Sequence, residues 1–168
     1  MTTLDDALAR FRGNPLAKHP DNPFRLVSTV SAPALAAEVA AAWRAVPSDA
    51  EALWSACRDA RLFEDADYGQ WGLVLLDPHS SALRTTQERA ARPTEYREGD
   101  VVIGAFLGDQ ELLVIAPDGT GSRRILVALP LDGRSEWFGA ASSLAEFIER
   151  YFDAGGNKFW EARYGSEP

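Results

Sequence analysis

One stretch constrains the fold more than any other: residues 100–117, DVVIGAFLGDQELLVIAP. Val101, Val102, Ile103, Ala105, Phe106 and Leu107 form one apolar run, and Leu112, Leu113, Val114, Ile115 and Ala116 form a second. Gly108, Asp109 and Gln110 lie between them and β-branched residues fill both arms, the pattern of a β-hairpin closed by a short polar turn. Neither arm alternates strictly, so both faces of the hairpin are predicted to be covered and the hairpin to sit at the centre of a sheet. Gly104 inside the first arm signals a bulge, or another segment packed close against it. Within this stretch only the turn residues Asp109, Gln110 and Glu111 are left to meet a partner.

The rest of the chain supplies cover for that sheet. Thr3 caps a predicted first helix with Leu4, Ala7, Leu8 and Phe11 on one face, ended by Gly13. Three prolines in residues 14–23 mark a surface loop, and residues 24–30 read as a short strand. A helix is predicted from Ser31 to Val46, with Leu35, Val39, Ala42 and Trp43 at helical spacing and Pro33 tolerated in its first turn. Ser48 and Glu51 have the spacing of a capping box for the next helix, which carries Leu53, Trp54, Cys57 and Ala60. Residues 62–72, LFEDADYGQWG, then present Glu64, Asp65 and Asp67 beside Tyr68 and Trp71.

A strand over residues 71–76, a polar helix over 81–91 and, after the hairpin, a third long strand over 125–129 complete the middle. Residues 135–138 read as a short edge strand. Ser143 and Glu146 form a second predicted capping box, for a helix with Leu144, Phe147, Ile148, Tyr151 and Phe152 inward and Gly155-Gly156 at its end. Phe159, Trp160 and Tyr164 dock the tail on the body. Strands clustered centrally with helices before and after, and no βαβ alternation, predict an α+β fold: a central antiparallel sheet with helices packed against it.

A chain of 168 residues is expected to form a single domain, divided here into an extension (1–30), a core (31–160) and a tail (161–168). No apolar run approaches a membrane span and MTTLDDALAR lacks the order of a signal peptide, so no membrane partner and a cytoplasmic location are expected. The single cysteine, Cys57, excludes an intrachain disulfide and reads as a small buried apolar residue. Twenty-five acids against seventeen bases leave a net charge of −8, which disfavours nucleic acid and favours a basic partner.

Nucleophile, metal and phosphate motifs are absent from the sequence, while paired carboxylates for glycoside cleavage stay open because sequence does not give their separation. His19 and His79 belong to no nucleophile–base motif and read as surface residues, and the run Glu64, Asp65, Asp67 lacks the glycine and the terminal Glu of a calcium loop. No phosphate cradle opens a helix. No catalytic residue, cofactor or metal ligand is therefore assigned, and the chain is expected not to be an enzyme. Trp43, Trp54 and Trp160 fall on apolar faces and read as core. Tyr68, Trp71 and Trp137 sit beside turns among acids, where framework packing and a role in binding are both open.

The ordered set LW…LF…YGQWGLVLL, a polar helix, GDVVIGAFLGDQELLVIAPDG, and SSLAEFIERYFDAGGNKFW resembles the SUKH superfamily over residues 32–160. Its most specific element is the hairpin carrying Ile103-Gly104 and Gly108-Asp109, followed by a phenylalanine-rich last helix ending in Gly-Gly. The resemblance implies an α+β fold with a central antiparallel sheet. It also implies an immunity protein that binds and blocks a cognate bacterial toxin of a polymorphic system, often a nuclease or deaminase. The alternative is a non-enzymatic regulatory or scaffold module, akin to regulators of cell-wall synthesis. Charge and resemblance together place the partner surface on Glu64, Asp65, Asp67, Tyr68, Trp71, Asp109, Glu111 and Trp137, provided that the acidic stretch and the hairpin turn share one sheet end. The chain is expected to be a monomer or weak homodimer.

Overall fold

The central hairpin is present in the computed structural model, which describes residues 1–17 and 23–164. Eight strands lie across one sheet in chain order, each antiparallel to the next. They are β1 (Leu16–Ala17), β2 (Leu26–Val30), β3 (Ala60–Asp65), β4 (Leu73–Leu75), β5 (Val101–Phe106), β6 (Leu112–Pro117), β7 (Arg123–Ala128) and β8 (Phe138–Ala141). Five helices pack around it: α1 (Leu4–Gly13), α2 (Ala36–Ala42), α3 (Ser48–Ala56), α4 (Pro78–Ala91) and α5 (Leu144–Asp153). The fold is α+β, as the sequence predicts.

Both faces of the hairpin are covered because successive side chains of a strand point opposite ways. Val101, Ile103, Phe106, Leu113 and Ile115 join α1, α3 and α5 in the larger core. Val102, Leu112, Val114 and Ala116 join Tyr96, Leu126, Ala128 and Trp137 in a smaller core on the other face. Gly104 serves in both predicted ways. The β5–β6 register shifts between Val102 and Gly104, and a Cβ at Gly104 would sit 3.0–3.2 Å from Leu73, Leu113 and the Val74 carbonyl.

The bulge has a partner on α4. Val102 lies beyond the end of β4, and α4 meets it with two hydroxyls one turn apart. Ser81 Oγ donates to the Val102 carbonyl (2.5 Å), and the Val102 N–H donates to Thr85 Oγ1 (2.9 Å). The polar helix thereby continues the ladder with side chains, which satisfies two buried backbone groups that water does not reach.

The described residues among the first thirty, 1–17 and 23–30, are integral to the body. Thr3 and Asp6 form a capping box, Ala7, Leu8 and Phe11 are wholly buried, and β2 pairs with β3. Phe11 meets Phe63 and Phe152 edge-on at 5.1 and 5.0 Å. At the other terminus Trp160 is buried against Phe106 and Phe147. The Tyr164 side chain and His19 lie outside the described residues.

Several local expectations are corrected. The helix expected from Ser31 begins only at Ala36, because backbone groups of residues 31–34 are taken by the 54–59 segment: Ser31 N–H bonds Asp59 O, Ala34 N–H bonds Trp54 O, and Ala32 O accepts from Arg58 N–H. Ser48 caps nothing, since Pro47 occupies the N-cap and α3 already includes Ser48. Where an edge strand was expected over 135–138, a 3₁₀ turn spans Arg134–Glu136 and β8 starts at Phe138. At α5, Ser143 accepts from the Glu146 N–H as predicted, but the Glu146 carboxylate turns to Ser142.

Candidate functional site

Antiparallel order fixes which loops meet. β3 and β5 end where β4 and β6 begin, so the β3–β4 loop and the β5–β6 turn emerge at the same end of the sheet. They also touch. Leu107 N–H bonds Gly72 O (2.9 Å), and the left-handed Gly108 (φ +93°) lies so close to Gln70 O that a side chain there would collide with it. Gly72 (φ +126°) is equally confined, with a Cβ placed 2.8 Å from Glu64 Cα. The two acidic loops therefore form one surface, the condition on which the sequence-based assignment rested.

Within that surface the acids divide into inward and outward ones. Asp65 is buried and accepts from the N–H groups of Asp67 (3.0 Å), Tyr68 (3.1 Å) and Gln70 (3.3 Å). Burial raises its carboxyl pKa, but the three backbone donors outweigh burial and hold it below the usual carboxylate value. Asp65 organises the loop and offers a partner little. Asp67 and Tyr68 are its product: Asp67 projects outward beside Arg25 (3.0 Å), and Tyr68 is 77% exposed. Glu64 is half-buried and pairs with Arg61 at 3.0 Å.

The hairpin turn divides the same way. Glu111 is buried and Asp109 exposed, and Lys158, arriving after α5, reaches both at 3.0 and 2.5 Å. Glu161 stands 3.8 Å from the same ammonium. Burial pushes the Glu111 carboxyl up from its ordinary value, and Lys158 offsets part of this. Three carboxylates around one lysine leave the tip negative. Among the described residues, six acids (Glu64, Asp65, Asp67, Asp109, Glu111, Glu161) and three bases (Arg25, Arg61, Lys158) pair within or beside these loops.

The aromatic assignments separate. Trp71 is a structural residue, its Nε1–H donating to Gly156 O (3.1 Å). The space enclosed by Trp71, Phe106, Tyr151 and Gly156 is only about 10 Å³, so this corner is packed. Trp137 does not belong to the surface. It is buried on the opposite sheet face, against Tyr96 (4.9 Å) and beneath Arg134 (5.2 Å), with its Nε1–H on Asp132 O. Of the eight residues assigned from sequence, Glu64, Asp67, Tyr68 and Asp109 are presented outward, Asp65, Glu111 and Trp71 support them, and Trp137 is elsewhere.

The reading from sequence omitted Lys158 and Arg25, whose partners lie 49 and 42 positions away along the chain. The one available signal was that Lys158 is one of only two lysines. It also omitted a buried pair behind Trp137, where Arg134 grips Asp100 with two guanidinium nitrogens (2.5 and 3.1 Å).

A cleft of about 460 Å³ lies beyond the other end of β3 and β4 and includes Asp59 and Asp77. Both are engaged, Asp59 with Arg58 (3.0 Å) and Asp77 with the N–H and hydroxyl of Ser80. Among the described residues no group of three His, Cys, Asp or Glu side chains is placed to hold a metal ion, and no helix is long and apolar enough to cross a membrane. Compared with known proteins, the chain matches no family model and no curated protein.

Proposed function

We propose that this chain is an immunity protein of the SUKH type, which binds a cognate bacterial toxin domain and blocks it in the producing cell. The observation carrying the reading is the joined acidic end of the sheet, where Glu64, Asp67 and Asp109 share one end with the exposed Tyr68 on a backbone held by Asp65, Gly72 and Gly108. A rigid anionic surface with a protruding aromatic suits a basic partner: charge steers encounter and the ring anchors the complex. A nuclease or deaminase domain, which must itself attract phosphate, has the complementary sign. Inhibition then needs only that the acidic surface occupy the path of the nucleic acid.

The reading predicts a toxin domain encoded beside this chain, and the test uses that domain. Co-expression of the wild-type chain is expected to rescue cells from that toxin, and a Glu64→Lys, Asp67→Lys, Asp109→Lys variant of unchanged melting temperature is expected to fail. Rescue by that variant removes the acidic end from the interface. Asp65 is left intact in the test, because its replacement would unmake the loop and confuse folding with charge.

A further inference from the structure

The face opposite the acidic end carries a second, positively charged concavity. It occupies about 240 Å³ between β7, β8 and the segment before β5, and is bounded by Arg97, Arg124, Leu126, Arg134, Trp137 and Gly139. In a chain of net charge −8 this placement of arginines is unusual. Arg97 and Arg124 are exposed, and among the described residues neither has an ion-pair partner. Arg134 forms the wall. Its side chain is 8% exposed, held by Asp100 and the Glu95 carbonyl, yet its Nε is buried without a partner. The floor is open because Gly139, opposite Leu126 in the β7–β8 register, has no neighbour within 4 Å of where a Cβ would lie.

We propose that this concavity is a binding site for a small phosphoryl oxyanion, either inorganic phosphate or the phosphate end of a small monoester. Two unpaired guanidinium forks match phosphoryl oxygens in geometry and sign. A third arginine, fixed by Asp100, supplies a rigid wall that does not need ordering on binding. The volume exceeds a bare phosphate but falls below the ~300 Å³ where sites for drug-sized ligands begin, which leaves room for at most a short ester. The site is independent of the acidic end and of the proposed toxin.

Titration of the whole chain with inorganic phosphate and, separately, phenyl phosphate, followed by the Trp137 indole N–H and the Arg97 and Arg124 amide signals in ¹H–¹⁵N spectra, tests it. Saturable shifts at millimolar ligand or below are expected with at least one probe. Tighter binding of phenyl phosphate indicates an ester, and equal binding indicates phosphate itself. Arg97→Gln with Arg124→Gln is expected to weaken binding by tenfold or more. Gly139→Leu, which fills the open floor at a position free of backbone strain, is expected to abolish binding with little change in melting temperature. Absence of saturable shifts with either probe, or binding unaffected by Gly139→Leu, overturns the proposal.

Discussion

The acidic end of the sheet and the sheet face that buries Trp137 use charge in opposite ways. At the acidic end, buried carboxylates shape backbone: Asp65 ties its own loop and Glu111 anchors the turn through Lys158, leaving Asp67 and Asp109 outside. On the opposite face the ion pair itself is interior. Asp100 and Arg134 clamp the 95–100 segment to the β7–β8 connection, with Trp137 beneath the guanidinium. Charge at the first region is displayed on a scaffold; at the second, charge is part of the scaffold. Substitutions should therefore trade partner binding against stability in opposite proportions at the two places.

The largest stability effect is expected at Asp100→Ala, which leaves Arg134 buried and unpaired. A loss of about 3–5 kcal/mol in urea unfolding is expected, and a loss below 1 kcal/mol would mean that the pair is not desolvated. Next come the contacts that join the two acidic loops. Gly72→Ala places a Cβ against the Glu64 backbone at positive φ and is expected to cost about 1–3 kcal/mol. A similar cost, about 1–3 kcal/mol, is expected for Thr85→Val, which strands the Val102 N–H. The smallest effects belong to the outward acids: Glu64→Lys, Asp67→Lys and Asp109→Lys are each expected within about 0.5 kcal/mol of wild type.

Protonation gives an independent handle on the comparison. Asp65 has its folded pKa below the unfolded value of 3.8, so its contribution is present above that value and is lost as pH falls through the folded pKa. Glu111 has the opposite sign. Its folded pKa is raised, so stability falls as pH rises from its ordinary value of 4.5 through the raised one. Unfolding measured from pH 3 to 7 should show a shallower acid limb in Asp65→Asn, and Glu111→Gln should lessen a decline on the rising side.

The sheet was legible in the sequence because its centre is buried on both sides, and two-sided burial writes continuous β-branched runs that no surface strand produces. Gly104 was legible for the same reason. Direction within the acidic stretch was not. Glu64, Asp65 and Asp67 are equivalent in composition, but β3 runs through Asp65, and only the loop's return to its carboxylate separates the inward acid from its neighbours. Trp137 misled because it follows a turn, while the 3₁₀ segment before it folds back across the sheet and buries the ring. Lys158 was invisible since its meaning lies in two carboxylates about fifty residues away.

The central claim, that the outward acids at the joined loop end meet a basic partner, is tested most directly by association kinetics with the toxin domain that the proposed function predicts beside this chain. The Glu64→Lys, Asp67→Lys, Asp109→Lys chain is compared with wild type at low and moderate salt, with Glu98→Lys, exposed just before β5 at the other end of the sheet, as a control. The account predicts an association rate at least tenfold slower at low salt for the triple variant, a gap that narrows as salt rises, and a control close to wild type. Equal rates for the triple variant and wild type at both salt concentrations would contradict it.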